Sequence, residues 1–133
     1  MTKNYFFMIN NYTNVLKKYV EFSGRARRRE YWLFYLANIL LGVAGGILML
    51  IAFALGAAGL ASFLYILLVL YSLATLLPGL ALTVRRLHDT GRDWPWIFII
   101  FVPLIGGIWF LVLMIIEGEA GDNTYGPDPK KIA

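Results

Sequence analysis

The chain contains one histidine, and a carboxylate follows it directly: His88-Asp89, within the stretch RRLHDTGRDWPW at 85–96. An imidazole beside a carboxylate is the raw material of acid–base or metal chemistry. Neither chemistry finds its remaining parts here. One His and no Cys cannot supply a conventional zinc site within a single chain. A Ser23–His88–Asp89 relay would need the carboxylate to orient the ring, and sequence neighbours rarely aim at each other. Glu117, Glu119, Asp122, Asn123 and Asp128 carry oxygens suited to Ca²⁺, but without calcium-loop spacing. The sequence therefore predicts a protein that is not an enzyme, with no catalytic residues, no metal and no cofactor.

The elements that must position His88 and Asp89 are unusually apolar. Hydrophobic residues make up 59% of the chain and charged residues 15%, and mean hydropathy is +0.67. Too few charges remain to cover a soluble surface. They are also segregated. No Asp, Glu, Lys, Arg or His occurs from Tyr31 to Val84, a run of 54 residues, or from Trp94 to Ile116. One helix of the first length would reach about 80 Å, against a bilayer core of about 30 Å. The chain must turn back, and Gly56-Ala57-Ala58-Gly59 is the weakest place for a helix. This predicts membrane spans at 32–55, 60–83 and 95–116. The expected architecture is all-α: one membrane domain over 1–133, three transmembrane helices, an N-terminal amphipathic interfacial helix and an irregular polar tail at 117–133. No cleavable signal peptide is expected, because the first apolar run begins late and is too long.

Orientation follows from the basic residues. Lys3, Lys17, Lys18, Arg25, Arg27, Arg28 and Arg29 precede the first span, and Arg85, Arg86 and Arg92 lie between the second and third. None lies between the first and second. The positive-inside rule places the N-terminus and the 84–94 turn in the cytoplasm, and three spans leave the C-terminus outside. Pro103 and Gly106-Gly107 interrupt the third span; if that segment is re-entrant, the tail returns to the cytoplasm. Trp94 and Trp96 suit the membrane interface, and Asp93 can cap the start of the third span. The net charge of +4 then reads as a topology signal, and nucleic acid is not an expected partner.

Residues 5–21 form the predicted interfacial helix. Tyr5, Met8, Ile9, Tyr12, Val15, Leu16, Tyr19 and Val20 share one face, and Asn10, Asn11, Asn14, Lys17, Lys18 and Glu21 the other. A helix packed on the protein's own cytoplasmic elements is the competing reading. The basic stretch FSGRARRREYW follows at 22–32. Arg25, Arg27, Arg28, Arg29 and Trp32, with Arg85, Arg86 and His88, are candidates for binding anionic lipid or a partner protein. Carboxylates on the same side offer a clamp: Glu30 towards Arg85 or Arg86, and Asp89 or Asp93 towards Arg25 or Arg28, with Gly24 at the turn. Gly42 and Gly46 form a G-x-x-x-G pattern that suits either packing within the chain or a homo-oligomer. The spans hold no ionisable group, which argues against proton-coupled pumps and voltage sensors.

Three stretches together, FSGRARRREYW, RRLHDTGRDWPW and GDNTYGPDP at 121–129, resemble the bacterial inner-membrane proteins of domain of unknown function 805, the YhaH/YhaI-like family. The family pattern has two adjacent tryptophans after the His-Asp segment, whereas here Pro95 separates Trp94 from Trp96. The resemblance covers nearly the whole chain and implies a small polytopic protein of the bacterial inner membrane, with no activity to carry over. Gly24, Arg25, Arg28, Glu30, Trp32, Arg85, Arg86, His88, Asp89, Asn123, Gly126 and Pro129 match its motif positions. The expected function is a non-enzymatic scaffold or adaptor whose cytoplasmic Arg/His/Asp face binds anionic lipid or a protein. The alternatives are a subunit of a small oligomeric channel or transporter, and a lipid-head-group enzyme using His88 and Asp89.

Overall fold

The computed structural model describes residues 2–132, with side chains from Phe6 to Lys131. Met1 and Ala133, part of the expected domain, lie outside the described residues, as does the Tyr5 side chain. Among the described residues all regular elements are helical: α1 (Thr2–Lys17), α2 (Arg28–Ala54), α3 (Ala58–Asp89), a 3-10 helix (Trp94–Phe101), α4 (Gly106–Ile115) and α5 (Pro129–Ile132). One isolated bridge pairs Asn123 with Gly126.

The two charge-poor runs of the first hairpin become α2 and α3, joined at Leu55–Ala57, one residue before the expected break. They have 27 and 32 residues, or about 40 and 48 Å at 1.5 Å per residue. Both are long and apolar enough to cross a membrane. Only 6% of the most apolar window of each is buried, so these are not core helices of a water-soluble domain. Ile39, Val43, Ile47 and Leu50 of α2, and Phe63, Ile66, Leu70 and Leu73 of α3, all face outward. Gly45 meets α3, where Leu68 stands 2.6 Å from the position of a Cβ; Gly42 and Gly46 face open space. α3 passes unbroken through Pro78 and continues to Asp89. The RRLHD residues expected in a turn are therefore helical, and their side chains are held by the helix.

The packed core lies at the charged end of this hairpin. Val15 of α1, Ala26, Tyr31 and Phe34, Leu82 and Leu87, and Leu113 and Met114 form one buried cluster. α1 supplies Val15 and sets Tyr12 and Leu16 against it, so the helix packs on the protein's own elements. It ends at Lys17, four residues before the expected boundary, leaving Tyr19 and Val20 exposed in the following turn. Its expected apolar face is split, because Ile9 is exposed while Asn11 is buried.

The third apolar run differs from expectation. Residues 95–116 do not form one continuous helix. The 3-10 helix has eight residues, long for its type, and α4 has ten, about 15 Å. Between them Leu104 turns with φ +70°. Pro103 supplies no N–H to continue a helix. Gly106 lies so close to the Ile99 carbonyl that a side chain there would collide with it, so α4 folds back along the 3-10 helix. Both ends of the segment meet the end of α3: Asp93 lies against His88, and Arg86 donates to the carbonyl of Met114. The tail consequently sits at the end of the hairpin that carries the N-terminal arginines, not at the opposite end as a third span would require.

Gly106→Val is expected to destabilise the fold by about 1–3 kcal/mol, the usual range for overpacking, whereas Gly107→Val, with open space around it, leaves stability nearly unchanged. Thermal unfolding of both variants in mild detergent checks this. Equal melting temperatures would mean that the fold-back does not depend on the close approach at Gly106.

Candidate functional site

The site is built where the N-terminus of α2, the C-terminus of α3, the end of α4 and the tail meet. Asp89 occupies its centre. Arg25 Nε donates to Asp89 Oδ1 at 3.0 Å, and Arg86 Nη1 donates to Oδ2 at 3.0 Å. All three side chains are nearly inaccessible to solvent. Burial pushes the Asp89 carboxyl above its ordinary range, while the hydrogen bond and charge of Arg25 and the charge of Arg86 pull it down. Burial likewise lowers the Arg86 guanidinium, against the pull of Asp89.

Both arginines use their remaining donors on backbone carbonyls. Arg25 reaches Gly121 O and Glu119 O at 2.6 Å each, fastening the tail. Arg86 reaches Met114 O at 3.3 Å and also Ile116 O. The last carbonyls of a helix have no intrahelical partner and carry its negative end. Trp32 Nε1 donates to Met114 O at 3.1 Å, and Arg28 to Ile115 O at 3.4 Å. Three side chains thus cap α4 and hold the fold-back to α2 and α3.

His88 belongs to the same assembly. Its Nδ1 donates to Gly24 O at 2.9 Å, and its Nε2 lies 3.3 Å from Asp93 Oδ1. Its ring stacks on Tyr125 with centroids 4.2 Å apart and planes within 3°. Asn123 Nδ2 donates to His88 O at 3.0 Å and to Glu119 Oε2 at 2.9 Å. Glu119 N donates to Asp89 O at 2.7 Å. The tail is therefore an ordered cap. Its turns are closed by Asp128, which accepts from the N–H groups of Lys130 and Gly121 at 3.0 Å each; these bonds hold its carboxyl below the usual range. Gly118 is required by contact, since a side chain there would strike the Asp89 carboxylate.

Of the proposed clamp residues, the structure joins Arg25 with Asp89 and Gly24 with His88. Asp93 meets His88 and caps Trp94 N at 2.7 Å, not an arginine. Glu30 forms no ion pair among the described residues; its carbonyl accepts from Asn11 Nδ2 at 3.2 Å, and burial raises its carboxyl. Arg27 donates to Pro129 O at 2.6 Å, and Arg29 lies over the Phe7 ring at 4.1 Å. Gly126 pairs with Asn123. Sequence reasoning missed Gly118 and Tyr125, and weighed Glu119 only as a calcium oxygen, whereas it bonds Asn123 and Asp89. The spacing of Gly and Asn in the tail signalled turns, but no local pattern reveals what those turns pack against.

A second feature adjoins the network. Beneath α1 lies an open cavity of about 660 Å³, lined by Asn10, Asn11, Asn14 and Lys18 on one side and by Arg25, Arg27, Arg29, Glu30 and Arg85 on the other. The asparagine face of α1 points into it.

The Arg25–Asp89 contact is expected to show coupling. Arg25→Ala and Asp89→Ala should each cost about 3–5 kcal/mol, the range for breaking one partner of a buried pair. The double variant should fall short of the sum by at least about 1 kcal/mol. Strictly additive losses of thermal stability would deny the pair any energetic role.

Residues 19–127 match the family model described as "Protein of unknown function (DUF805)". Among curated proteins, "Inner membrane protein YhaI" of Escherichia coli (strain K12) is 50% identical over 119 residues, covering 90% of this chain and 94% of the relative. "Inner membrane protein YhaH" of the same organism is 42% identical over 121 residues, covering 90% and 95%. "Uncharacterized protein YiiR", also from that strain, is 33% identical over 137 residues, covering 84% and 87%. No solved structure matches the chain.

Proposed function

The chain belongs to the DUF805 family, and from that premise we propose that it is a multi-pass protein of the bacterial inner membrane, a non-enzymatic scaffold whose basic cytoplasmic end holds anionic lipid. In this reading α2 and α3 cross the bilayer, the 94–116 fold-back dips in from the cytoplasmic side, and both termini are cytoplasmic. The relatives named as inner membrane proteins support the location. One observation carries the rest. None of the twelve Lys and Arg residues lies from Glu30 to Val84, and those of the site gather at the end where α2 begins and α3 finishes. The positive-inside rule places that end in the cytoplasm, where each basic group near an anionic surface contributes about 1 kcal/mol of attraction.

The bonds of the site support a structural rather than catalytic use of its polar groups. Both oxygens of Asp89 are engaged by arginines, and His88 has Nδ1 on a backbone carbonyl and Nε2 facing Asp93 Oδ1 at 3.3 Å. A general base needs a lone pair free to face substrate. The protein's work in this reading is to keep a dense cationic surface in one fixed shape at the membrane.

The native chain has no cysteine, so single introduced thiols report topology without background. Thr124→Cys in the exposed tail should resist a membrane-impermeant maleimide in intact spheroplasts, and Ala58→Cys at the α2–α3 turn should react. Labelling of Thr124→Cys from outside would overturn the two-span arrangement. Particles extracted from the membrane with polymer should be enriched in phosphatidylglycerol and cardiolipin relative to the bulk, with the enrichment falling on Arg27→Ala/Arg29→Ala. Bulk lipid composition around the wild-type protein would overturn the lipid reading.

A further inference from the structure

Arg85 lines the cavity beneath α1, and its Nη2 is the one buried polar side-chain atom left without a partner among the described residues. The Arg85 side chain is almost wholly buried, and its Nε has only a long 3.4 Å contact to Ala81 O. Its helix neighbour Arg86 has an acceptor at each of its three side-chain nitrogens. Successive residues on a helix point about 100° apart, so Arg86 faces Asp89 and α4 while Arg85 faces the cavity. Lys18, Arg27 and Arg29 line the same space, and Glu30 is the only carboxylate among the described residues that line it. Asn10 and Asn14 add amide donors from α1, one helical turn apart. A planar guanidinium with free donors, surrounded by further cations and amides, is the recognition chemistry of a phosphate group.

We propose that this cavity is a discrete, saturable site for one phosphate-bearing anion, with Arg85 as its principal ligand and Glu30 as the opposing charge that weakens binding. The phosphate belongs either to a lipid head group entering from the membrane surface or to a free phosphate compound from the cytoplasm. For the lipid source the inference rests on the proposed membrane placement of this end; for a soluble phosphate it stands without it.

The test measures thermal unfolding of the purified full chain in detergent, titrated separately with inorganic phosphate and with short-chain phosphatidylglycerol, against chloride at equal ionic strength. The wild type should show a saturating rise in melting temperature. Arg85→Met should weaken binding by about tenfold or more, the loss expected for a hydrogen bond to a charged group. Without ligand, Arg85→Met should be as stable as the wild type or more so, because an unpartnered buried cation is replaced by an apolar side chain of similar length. Glu30→Gln should tighten binding, and Lys18→Met should loosen it. A response to both probes identifies the phosphate group itself as the ligand; a response to phosphatidylglycerol alone identifies the head group. No saturating shift with either probe overturns the proposal, as does a shift that survives Arg85→Met. If Arg85→Met does not fold, opposite effects of Glu30→Gln and Lys18→Met support the site, and unchanged binding in both overturns it. Loss of bulk anionic enrichment with the saturable site intact would instead count against the general lipid reading.

Discussion

The structure depends on one buried carboxylate shared by two arginines. Asp89 lies at the end of α3, and its partners come from different directions: Arg25 from the segment before α2, Arg86 from its own helix. Each arginine then extends the connection, Arg25 to the tail carbonyls and Arg86 to the end of α4. One anion thus organises four parts of the chain. Moving three charges out of water is expensive unless every donor and acceptor is met. Backbone carbonyls left over at the end of α4 and in the tail meet the surplus guanidinium donors. The pairing is therefore inseparable from the fold-back and the tail: their free carbonyls let two arginines share one aspartate, and the arginines hold them in place.

The distribution of polarity is inverted relative to a water-soluble domain. Arg85 and Arg86 rank among the most completely buried side chains, while Phe53, Leu55, Phe101 and Leu104 are exposed. Hydrophobic burial in water cannot be what holds α2 against α3, since their outer faces are apolar and open. In a bilayer, close packing and polar contacts between helices do that work. Gly45 under Leu68 is one such contact. Tyr71 Oη donating to Asn38 Oδ1 at 2.6 Å is another, and Tyr12 of α1 joins the same group. At the charged end a small mixed core takes over, and α1 adds Val15 to it. The helical hairpin and its polar end are stabilised by different forces.

Much of this was legible in the sequence, for definable reasons. Two long charge-free runs separated by a small-residue break could only be a helical hairpin, because length and hydropathy are properties of each run alone. The spacing of the arginine-rich and His-Asp stretches located the site, since a hairpin brings 22–32 and 85–96 to one end. The third run misled because hydropathy is blind to chain direction. Pro103, Leu104 and Gly106 turn the backbone within an unbroken apolar segment, and only the contact between Gly106 and the Ile99 carbonyl makes the turn specific. The tail read as irregular turns, and its turns are irregular, but their docking on Arg25 and His88 is long-range in sequence. The asparagine face of α1 read only as the polar side of an interfacial helix, because periodicity does not say what a polar face meets; it faces arginines.

The adjacent arginines of α3 make the strongest argument about what the charged end is for. Arg86 has a structural account: it pairs with Asp89 of its own helix and bonds the carbonyls that end α4. Arg85 has none of comparable weight. Its backbone carbonyl accepts from Ala26 N at 2.9 Å, a bond any residue could provide. Its side chain carries a positive charge into a buried position and leaves a donor unmet, at an expected expense of about 1–3 kcal/mol. Burial lowers its guanidinium from the ordinary value, while the nearby but unbonded Glu30 acts in the opposite sense. A leucine or methionine at this position would fill the space without that penalty. The stability of the fold therefore explains one arginine of the pair and not the other. What remains to explain Arg85 is the cavity it faces, whose lining has more cations than the protein itself neutralises.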